Sequence, residues 1–253
     1  MSKVIAIINQ KGGVSKTTTA AALGAGLTLR GYKVLLVDLD AQGNLSYSLG
    51  AEESSFTAID VLTRKVKAAA VIQHLEQGDL LPTSPELALA DKLLGDTGKE
   101  YRLKEALEPV KVNYDYIIID TPPALGVLTV NALTACNGVI IPAQADVFSL
   151  QGIGQLYATI NAVRQYTNPS LKVMGLLLTR YSGRAVLSKN IAGVMEQTAK
   201  ELETKLFNTT IREGIAIKEA QISRQSIFEY APKSNTAQDY SDFIEELLQG
   251  AAT

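Results

Sequence analysis

The chain has 253 residues, of which 46% are hydrophobic and 20% charged, and its formal net charge is −2. This composition excludes a largely disordered chain and a coiled coil. The single cysteine, Cys136, cannot form an internal disulfide or a multi-thiolate metal site, so we expect a small core residue in a reducing compartment. Because no apolar run suits a signal peptide or a membrane span, we expect one cytoplasmic domain over residues 1–253.

Short apolar segments alternate with helical segments along the chain. The predicted strands are residues 3–8, 33–40, 79–83, 114–123, 137–144 and 172–180. Several are nearly continuous Val, Ile and Leu, which is typical of strands buried on both faces. Residues 207–235 lack clear periodicity, whereas residues 238–249 return to helical spacing. The pattern predicts an α/β fold with one doubly wound, mostly parallel sheet and helices on both faces.

A glycine-rich segment, residues 11–19 (KGGVSKTTT), follows the first predicted strand and opens a helix. In this order, backbone N–H groups converge on an anion at the positive end of the helix. Gly12 and Gly13 let the backbone approach phosphates closely, Lys16 would reach the outer phosphates, and the Thr17 hydroxyl would hold Mg²⁺. The segment therefore predicts a phosphate-binding loop.

Acidic residues end two of the predicted strands. Asp38 and Asp40 close the second strand, and Asp120 closes the fourth. An isolated acid at a strand end is usually a turn former. Three acids on two strands that flank the first one instead favour a site at the carboxyl edge of the sheet, where Asp120 would hold a water of the Mg²⁺ shell.

Together these motifs resemble the ParA/MinD family of ATPases, whose loop is a deviant Walker A motif. The similarity extends through most of the chain and includes residues 9–19, 34–44, 114–133, 139–156 and 211–221. Within the family, the chain is most similar to the small ParA/Soj type of partition ATPase, which lacks an N-terminal helix-turn-helix domain.

The resemblance implies an ATPase that forms a homodimer when it binds Mg-ATP. Lys11, the additional lysine of the deviant loop, would cross the dimer interface to the partner's phosphates and act as an arginine finger does. Asp40 would position the attacking water. The implied catalytic residues are Lys11, Lys16 and Asp40. The implied nucleotide-binding residues are Lys11, Gly12, Gly13, Val14, Ser15, Lys16, Thr17 and Thr18. The implied Mg²⁺ residues are Thr17, Asp40 and Asp120.

Ser15 departs from the family pattern, which has Gly before the loop lysine. If the backbone at this position needs a positive φ, a residue with a Cβ costs about 1–2 kcal/mol. If it does not, Ser suits the entrance to a helix, because its hydroxyl can accept a backbone N–H. We expect ATP binding to be retained in either case.

The resemblance also implies partners. Between Lys172 and Lys233 there are ten basic residues and six Glu, in a chain that is acidic overall. In ParA-type dimers, basic residues of this region hold double-stranded DNA without sequence preference. The candidates for DNA binding are Arg184, Lys189, Arg212, Lys218 and Arg224. We further expect a ParB-like DNA-binding partner and association with the nucleoid in the ATP state.

Two alternatives remain. The protein could be a nucleotide-binding switch with little hydrolysis, or a MinD-like positioning ATPase. A MinD-like ATPase needs a C-terminal amphipathic helix with a basic polar face. Residues 239–253 have four acids and no Lys or Arg, so we expect no membrane partner. Iron–sulfur proteins of the superfamily are disfavoured, because they need several cysteines.

Overall fold

The computed structural model describes residues 2–181 and 186–250. A six-stranded sheet forms its centre, with the strand order β3-β2-β4-β1-β5-β6 and parallel pairing between neighbouring strands. The strands are β1 (Lys3–Ile7), β2 (Val34–Asp38), β3 (Asp79–Leu81), β4 (Tyr116–Asp120), β5 (Gly138–Ala143) and β6 (Lys172–Leu178). All six predicted strands are confirmed, each a little shorter than its apolar segment.

Helices connect the strands. The α-helices are α1 (Lys16–Leu29), α2 (Asn44–Ser48), α3 (Ala58–Leu62), α4 (Ala90–Leu93), α5 (Arg102–Leu107), α6 (Val127–Ala135), α7 (Val147–Tyr166), α8 (Val186–Glu201), α9 (Ile215–Ile222), α10 (Ile227–Tyr230) and α11 (Asn235–Gln249). Short 3-10 turns cover Ala68–Ala70, Pro85–Leu89, Lys99–Tyr101 and Lys111–Asn113. None of the helices in the described ranges is long and apolar enough to cross a membrane.

The sheet separates two hydrophobic cores, which confirms the doubly wound arrangement. Successive side chains of a strand point to opposite faces. On β1, Val4 and Ala6 accordingly join one core, whereas Ile5 and Ile7 join the other. Helices α3, α5, α6, α7 and α8 contribute to the first core, and α1, α2 and α11 contribute to the second. Cys136 is a buried residue of the first core, as expected.

The strand register brings the loop and the acids together. Ile7, at the end of β1, pairs with Asp120 of β4, and Asp38 of β2 pairs with the same residue. The phosphate-binding loop leaves β1 beside these two carboxylates because parallel strands end at one edge. The carboxyl edge of the sheet therefore forms the floor of the candidate site.

Helix α11 closes the second core. Ser234 caps its N-terminus by accepting a hydrogen bond from the Ala237 N–H. Four large side chains on one face of the helix are buried: Tyr240, Phe243, Ile244 and Leu247. The ring of Phe243 packs edge-on against Phe207, with 4.9 Å between ring centroids. The helical spacing predicted for residues 238–249 is confirmed, and its apolar face lies in the core.

Replacing Phe243 by Ala should lower the free energy of unfolding by about 3–5 kcal/mol, because a fully buried ring leaves a cavity. Urea denaturation measures this change. Phe148→Ala is the matched control, because that ring is 75% exposed and its loss should cost no more than about 0.5 kcal/mol. Equal losses in the two variants would contradict the assignment of α11 to the core.

Candidate nucleotide-binding site

The loop between β1 and α1 has a left-handed backbone at two positions. Gly13 has φ +75 and Ser15 has φ +66. Gly adopts this conformation freely, whereas a residue with a Cβ is strained by about 1–2 kcal/mol. The Ser15 hydroxyl makes no capping hydrogen bond to α1. The alternative in which this hydroxyl caps the helix is therefore wrong, and Ser15 occupies a position that needs a positive φ.

Lys16 lies close enough to Asp120 and Asp40 for their charges to act on it. Its side chain is buried, and its ammonium donates to the Lys11 carbonyl at 3.2 Å. Burial lowers the pKa of Lys16 below its ordinary value, while Asp120 and Asp40 act in the opposite direction. The loop thus holds a cation over the carboxyl edge of the sheet, at the position expected for a group that contacts phosphates.

Asp38 and Asp120 form a buried acidic pair on neighbouring strands. Both side chains are fully buried. Burial, with the charge of Asp38, raises the pKa of Asp120 to about 8, while Thr17 and Lys16 partly offset the shift. Burial likewise raises the pKa of Asp38 to about 6. The pair is a strong acceptor of positive charge.

One oxygen of this pair is unsatisfied. Within the described residues, Asp120 Oδ2 has no hydrogen-bond partner, although it is fully buried. A buried carboxylate oxygen without a partner is costly unless a cation or a bound water completes it. Thr17 and Asp40 line the cavity and both influence the pKa of Asp120, so the nearby donor set is all oxygen, as Mg²⁺ prefers. The residues present fit a magnesium ion.

The two acids of β2 and the following loop have different orientations. Asp38 Oδ1 accepts the Asp40 N–H at 3.1 Å, and Oδ2 accepts the N–H and the hydroxyl of Ser46 at 2.9 and 2.8 Å. Its carboxylate therefore clamps the segment 40–46, which we call the acid loop. Asp40 instead lines the cavity. The sequence pointed to both acids, and the structure places Asp40 where it can meet a ligand.

A cavity of about 550 Å³ opens above the loop. Six of the eight predicted nucleotide-binding residues line it, namely Gly12, Gly13, Ser15, Lys16, Thr17 and Thr18. Val14 is instead buried, and its carbonyl accepts the Thr179 hydroxyl at 3.1 Å. Val14 can contribute only its backbone to a ligand.

The second wall of the cavity comes from the C-terminal third of the chain. It includes Arg180, Ile211, Arg212, Glu213, Gly214, Ile217, Lys218, Gln221, Ile222, Thr236 and Tyr240. Gln221 of α9 donates to the Thr18 hydroxyl at 3.2 Å, which links this wall to the loop. Apart from Arg212 and Lys218, which were assigned to DNA, the sequence analysis missed these residues. No local pattern could identify them, because residues 207–235 have no clear periodicity.

Lys11 does not line the cavity. Its ammonium pairs with Asp146 of the same chain and lies 3.5 Å from the Ser149 hydroxyl. Asp146 also caps α7 by accepting the Ser149 N–H at 2.9 Å. Burial alone would raise the pKa of Asp146, but Lys11 and Ser149 hold it below its ordinary value. In this chain, Lys11 is thus directed away from its own phosphate-binding space.

The basic candidates have different environments. Arg212 makes a two-pronged ion pair with the buried carboxylate of Asp239. Lys218 lines the cavity, and Arg224 lies beside the Tyr47 ring, outside it. Arg184 and the side chain of Lys189 lie outside the described residues. The structure therefore brings Arg212 and Lys218 to the candidate nucleotide site.

Replacing Ser15 by Gly should remove the strain at φ +66 and tighten ATP binding by no more than about tenfold, equivalent to roughly 1.4 kcal/mol. Ser15→Ala is the matched control. It keeps the Cβ and removes a hydroxyl that makes no capping bond, so its ATP affinity should equal that of the wild type. Isothermal titration with Mg-ATP measures all three proteins. A wild type that binds no Mg-ATP, beside a Gly variant that does, would contradict retained binding.

Similarity to known proteins covers the whole chain. A family model described as "AAA domain" matches residues 2–173. Sporulation initiation inhibitor protein Soj of Bacillus subtilis is 41% identical over 252 residues, which span 98% of each chain. Chromosome partitioning protein ParA of Caulobacter vibrioides is 39% identical over 253 residues, 97% of this chain and 94% of that one.

Solved structures share the fold. A Mycobacterium smegmatis protein described as cobyrinic acid a,c-diamide synthase, crystallised with an ATP analog and magnesium, is 38% identical. It superposes with a TM-score of 0.87 over 100% of this chain and 97% of that chain. The phosphate-binding loop, the paired acids and this end-to-end similarity have one explanation: the chain belongs to the ParA/MinD family of P-loop proteins.

Proposed function

We propose that this protein is a Mg-ATP-dependent partition ATPase that dimerises on ATP and then holds DNA. One observation carries the proposal: Lys16, Thr17 and Asp40 face a single cavity of about 550 Å³. The similarity to Soj and ParA over nearly the whole chain supports the partition role. The two relatives carry different names, and both match nearly the whole of this chain. The proposal therefore names partition as the role and does not name a cargo.

ATP would lie across the cavity with its phosphates on the loop. Backbone N–H groups of the loop and the Lys16 ammonium would bind the phosphates. The opposite wall offers the apolar side chains of Ile211 and Ile217 beside polar groups, which suits the base and ribose. The structure from Mycobacterium smegmatis with a bound ATP analog and magnesium supports ATP as the ligand.

Magnesium would be held by Thr17 and, through water, by Asp120 and Asp40. When bound, the ion would neutralise charge that develops on the phosphate oxygens. Asp40 would accept a hydrogen bond from the attacking water and orient it toward the outer phosphate. Its own Oδ1 accepts the Gln42 N–H at 3.0 Å, which fixes the carboxylate plane. Lys16 would offset the negative charge that transfer creates.

The proposed dimer requires Lys11 to change partners. In the single chain, Lys11 pairs with Asp146, and both side chains are about one-third exposed or less. Water still reaches both side chains, and solvent-accessible ion pairs contribute roughly 0–1 kcal/mol, so the outer phosphates of ATP bound to a second protomer can compete for Lys11. Lys11 would then supply positive charge to the partner's site, where the transition state develops negative charge.

DNA binding would depend on dimerisation, because two protomers double the number of phosphate contacts. Lys218 and Arg224 have no ion-pair partner among the described residues, whereas Arg212 is compensated by Asp239. Arg184 and Lys189 remain candidates from the sequence. A ParB-like DNA-binding protein would complete the system by stimulating slow hydrolysis, and the ATP dimer would accumulate on the nucleoid.

Two features weigh on the alternatives. A MinD-like role would need a helix free to lie on a membrane, but the apolar face of α11 is buried in the core. The synthase name belongs to the Mycobacterium smegmatis protein, which was crystallised with an ATP analog and magnesium. Cys136, the single thiol of this chain, is buried away from the cavity lining. Burial raises the pKa of Cys136 to about 12. A switch with little hydrolysis is separated from an ATPase by measuring turnover beside affinity.

Lys11→Ala should spare ATP binding by the monomer but abolish the ATP-dependent dimer, because the charge that crosses to the partner is lost. Asp40→Ala should instead trap the dimer by blocking hydrolysis. Light scattering with ATP and with ADP measures both, and Lys16→Ala is the control that loses nucleotide binding itself. A wild type that stays monomeric in every condition would refute this mechanism.

The ATP dimer should bind unrelated duplexes with similar affinity. The affinity should fall steeply between about 50 and 200 mM salt, because each phosphate contact adds a logarithmic slope near −0.9. Binding should vanish with ADP and in Lys16→Ala. Fluorescence anisotropy of labelled duplexes measures these effects, and equal binding without nucleotide, or binding to one sequence alone, would show that the switch is misassigned.

A further inference from the structure

Arg224 rests on an aromatic ring rather than on a carboxylate. Its guanidinium carbon lies 4.9 Å from the centroid of the Tyr47 ring, and that side chain is 52% exposed. Arg180 and Arg212, by contrast, are paired with Glu213 and Asp239. Arg224 has no acidic partner among residues 2–181 and 186–250. Arg224 is thus an exposed cation that no acid of the described residues compensates.

The guanidinium donors of Arg224 have no acceptor among the described residues. The guanidinium carbon lies near the Tyr47 ring, and the hydrogen bond that this residue makes with a side chain, that of Gln77, uses its carbonyl. A guanidinium offers several N–H donors that match the geometry of a phosphate. An arginine held against a ring has also lost part of its rotamer freedom before any ligand arrives, so less is lost on binding.

The backbone and the alkyl stem of Arg224 are fixed as well. Its φ is +55, and its carbonyl accepts the side-chain N–H of Gln77 at 3.1 Å. Gly50 lies beside the stem, since a Cβ built there would be in ordinary van der Waals contact with the Arg224 Cδ, at 3.7 Å. Tyr47, Gly50 and Gln77 thus form a seat for this one side chain.

The seat shares a residue with the nucleotide site, because Tyr47 itself lines the cavity of about 550 Å³, whereas Arg224 lies outside it. Tyr47 belongs to α2, and the preceding residue, Ser46, gives both its N–H and its hydroxyl to Asp38. The same carboxylate accepts the N–H of Asp40. The Ser46 hydroxyl also accepts the Thr83 N–H at 3.2 Å, which anchors α2 to the end of β3. The short helix α2, which carries the Tyr47 ring, is therefore anchored at Ser46 both to Asp38 and to Thr83.

We propose that Tyr47 is a positioning residue that presents Arg224, already ordered, to a phosphate of the DNA backbone. Arg224 is the group that contacts DNA, and Tyr47 acts through it. Because Tyr47 directly follows the acid loop in the chain, the position of the contact between Arg224 and DNA is fixed relative to the nucleotide site of the same protomer. This inference rests on the DNA binding proposed above.

The test compares variants of the seat as ATP dimers on a labelled duplex, across a salt series. Tyr47→Leu removes the ring and should weaken binding by on the order of tenfold in a dimer with two seats, with the salt slope kept. Tyr47→Phe keeps the ring and should bind as the wild type does. Tyr166→Leu is the control, because that tyrosine is 73% exposed and has no cation on its ring within the described residues.

Variants of Arg224 give an independent measurement should Tyr47→Leu disturb the dimer. Arg224→Gln should reduce the salt slope by about 1.8, which is 0.9 for each of two lost contacts. Arg224→Lys keeps the charge but not the flat face, so it should keep the slope and lose affinity. In the double variant Tyr47→Leu/Arg224→Gln, the ring substitution should have no further effect, because the group it positions is gone.

The outcomes separate this inference from the function on which it rests. A wild-type ATP dimer that binds no DNA overturns the proposed function itself. A wild type that binds DNA, beside Tyr47→Leu and Arg224→Lys variants that bind equally well, overturns only the role of Tyr47. Tyr47→Phe binding as weakly as Tyr47→Leu also overturns it, since the ring would then not be the group that matters.

Discussion

Charge compensation at the carboxyl edge of the sheet governs the site. Asp38 and Asp120 face each other in register on neighbouring strands, and both are fully buried. Lys16 is buried nearby, and its positive charge interacts with Asp120 and Asp40. A buried charge is costly unless it is paired, so this arrangement favours the arrival of further positive charge. Asp38, Asp120 and Lys16 therefore stabilise the loop and also favour the binding of a cation.

Asp38, at the end of β2, and Asp40, in the acid loop, have different roles. Both carboxylate oxygens of Asp38 accept hydrogen bonds from the acid loop, and Asp40 is the acid that faces the cavity. A residue held by its buried neighbour loses little freedom when a ligand arrives. The clamp also fixes the start of α2. Changes at the nucleotide site consequently have a short and well-anchored route to the surface that carries Tyr47 and Arg224.

The C-terminal wall shows how one segment can serve two surfaces. Ile211, Glu213 and Ile217 face the nucleotide cavity, whereas Arg224, just beyond α9, faces solvent. Arg212 is a DNA-binding candidate from the local charge and the family resemblance, yet its guanidinium is paired with a buried carboxylate, Asp239. Net charge along a segment does not reveal which cations are already neutralised, because the neutralising acids come from elsewhere in the chain.

The sequence alone determined the six strands and the position of the phosphate-binding loop. These features follow from neighbouring residues: apolar runs form buried parallel strands, and the glycine-rich loop joins β1 to α1. The tertiary structure decided the rest. The positive φ of Ser15 depends on how the loop packs. The other features join residues that are distant in the chain: the pairing of Lys11 with Asp146, the second wall of the cavity and the contact of Arg224 with Tyr47. No local pattern carries that information, because such contacts exist only once the sheet has brought its carboxyl ends together.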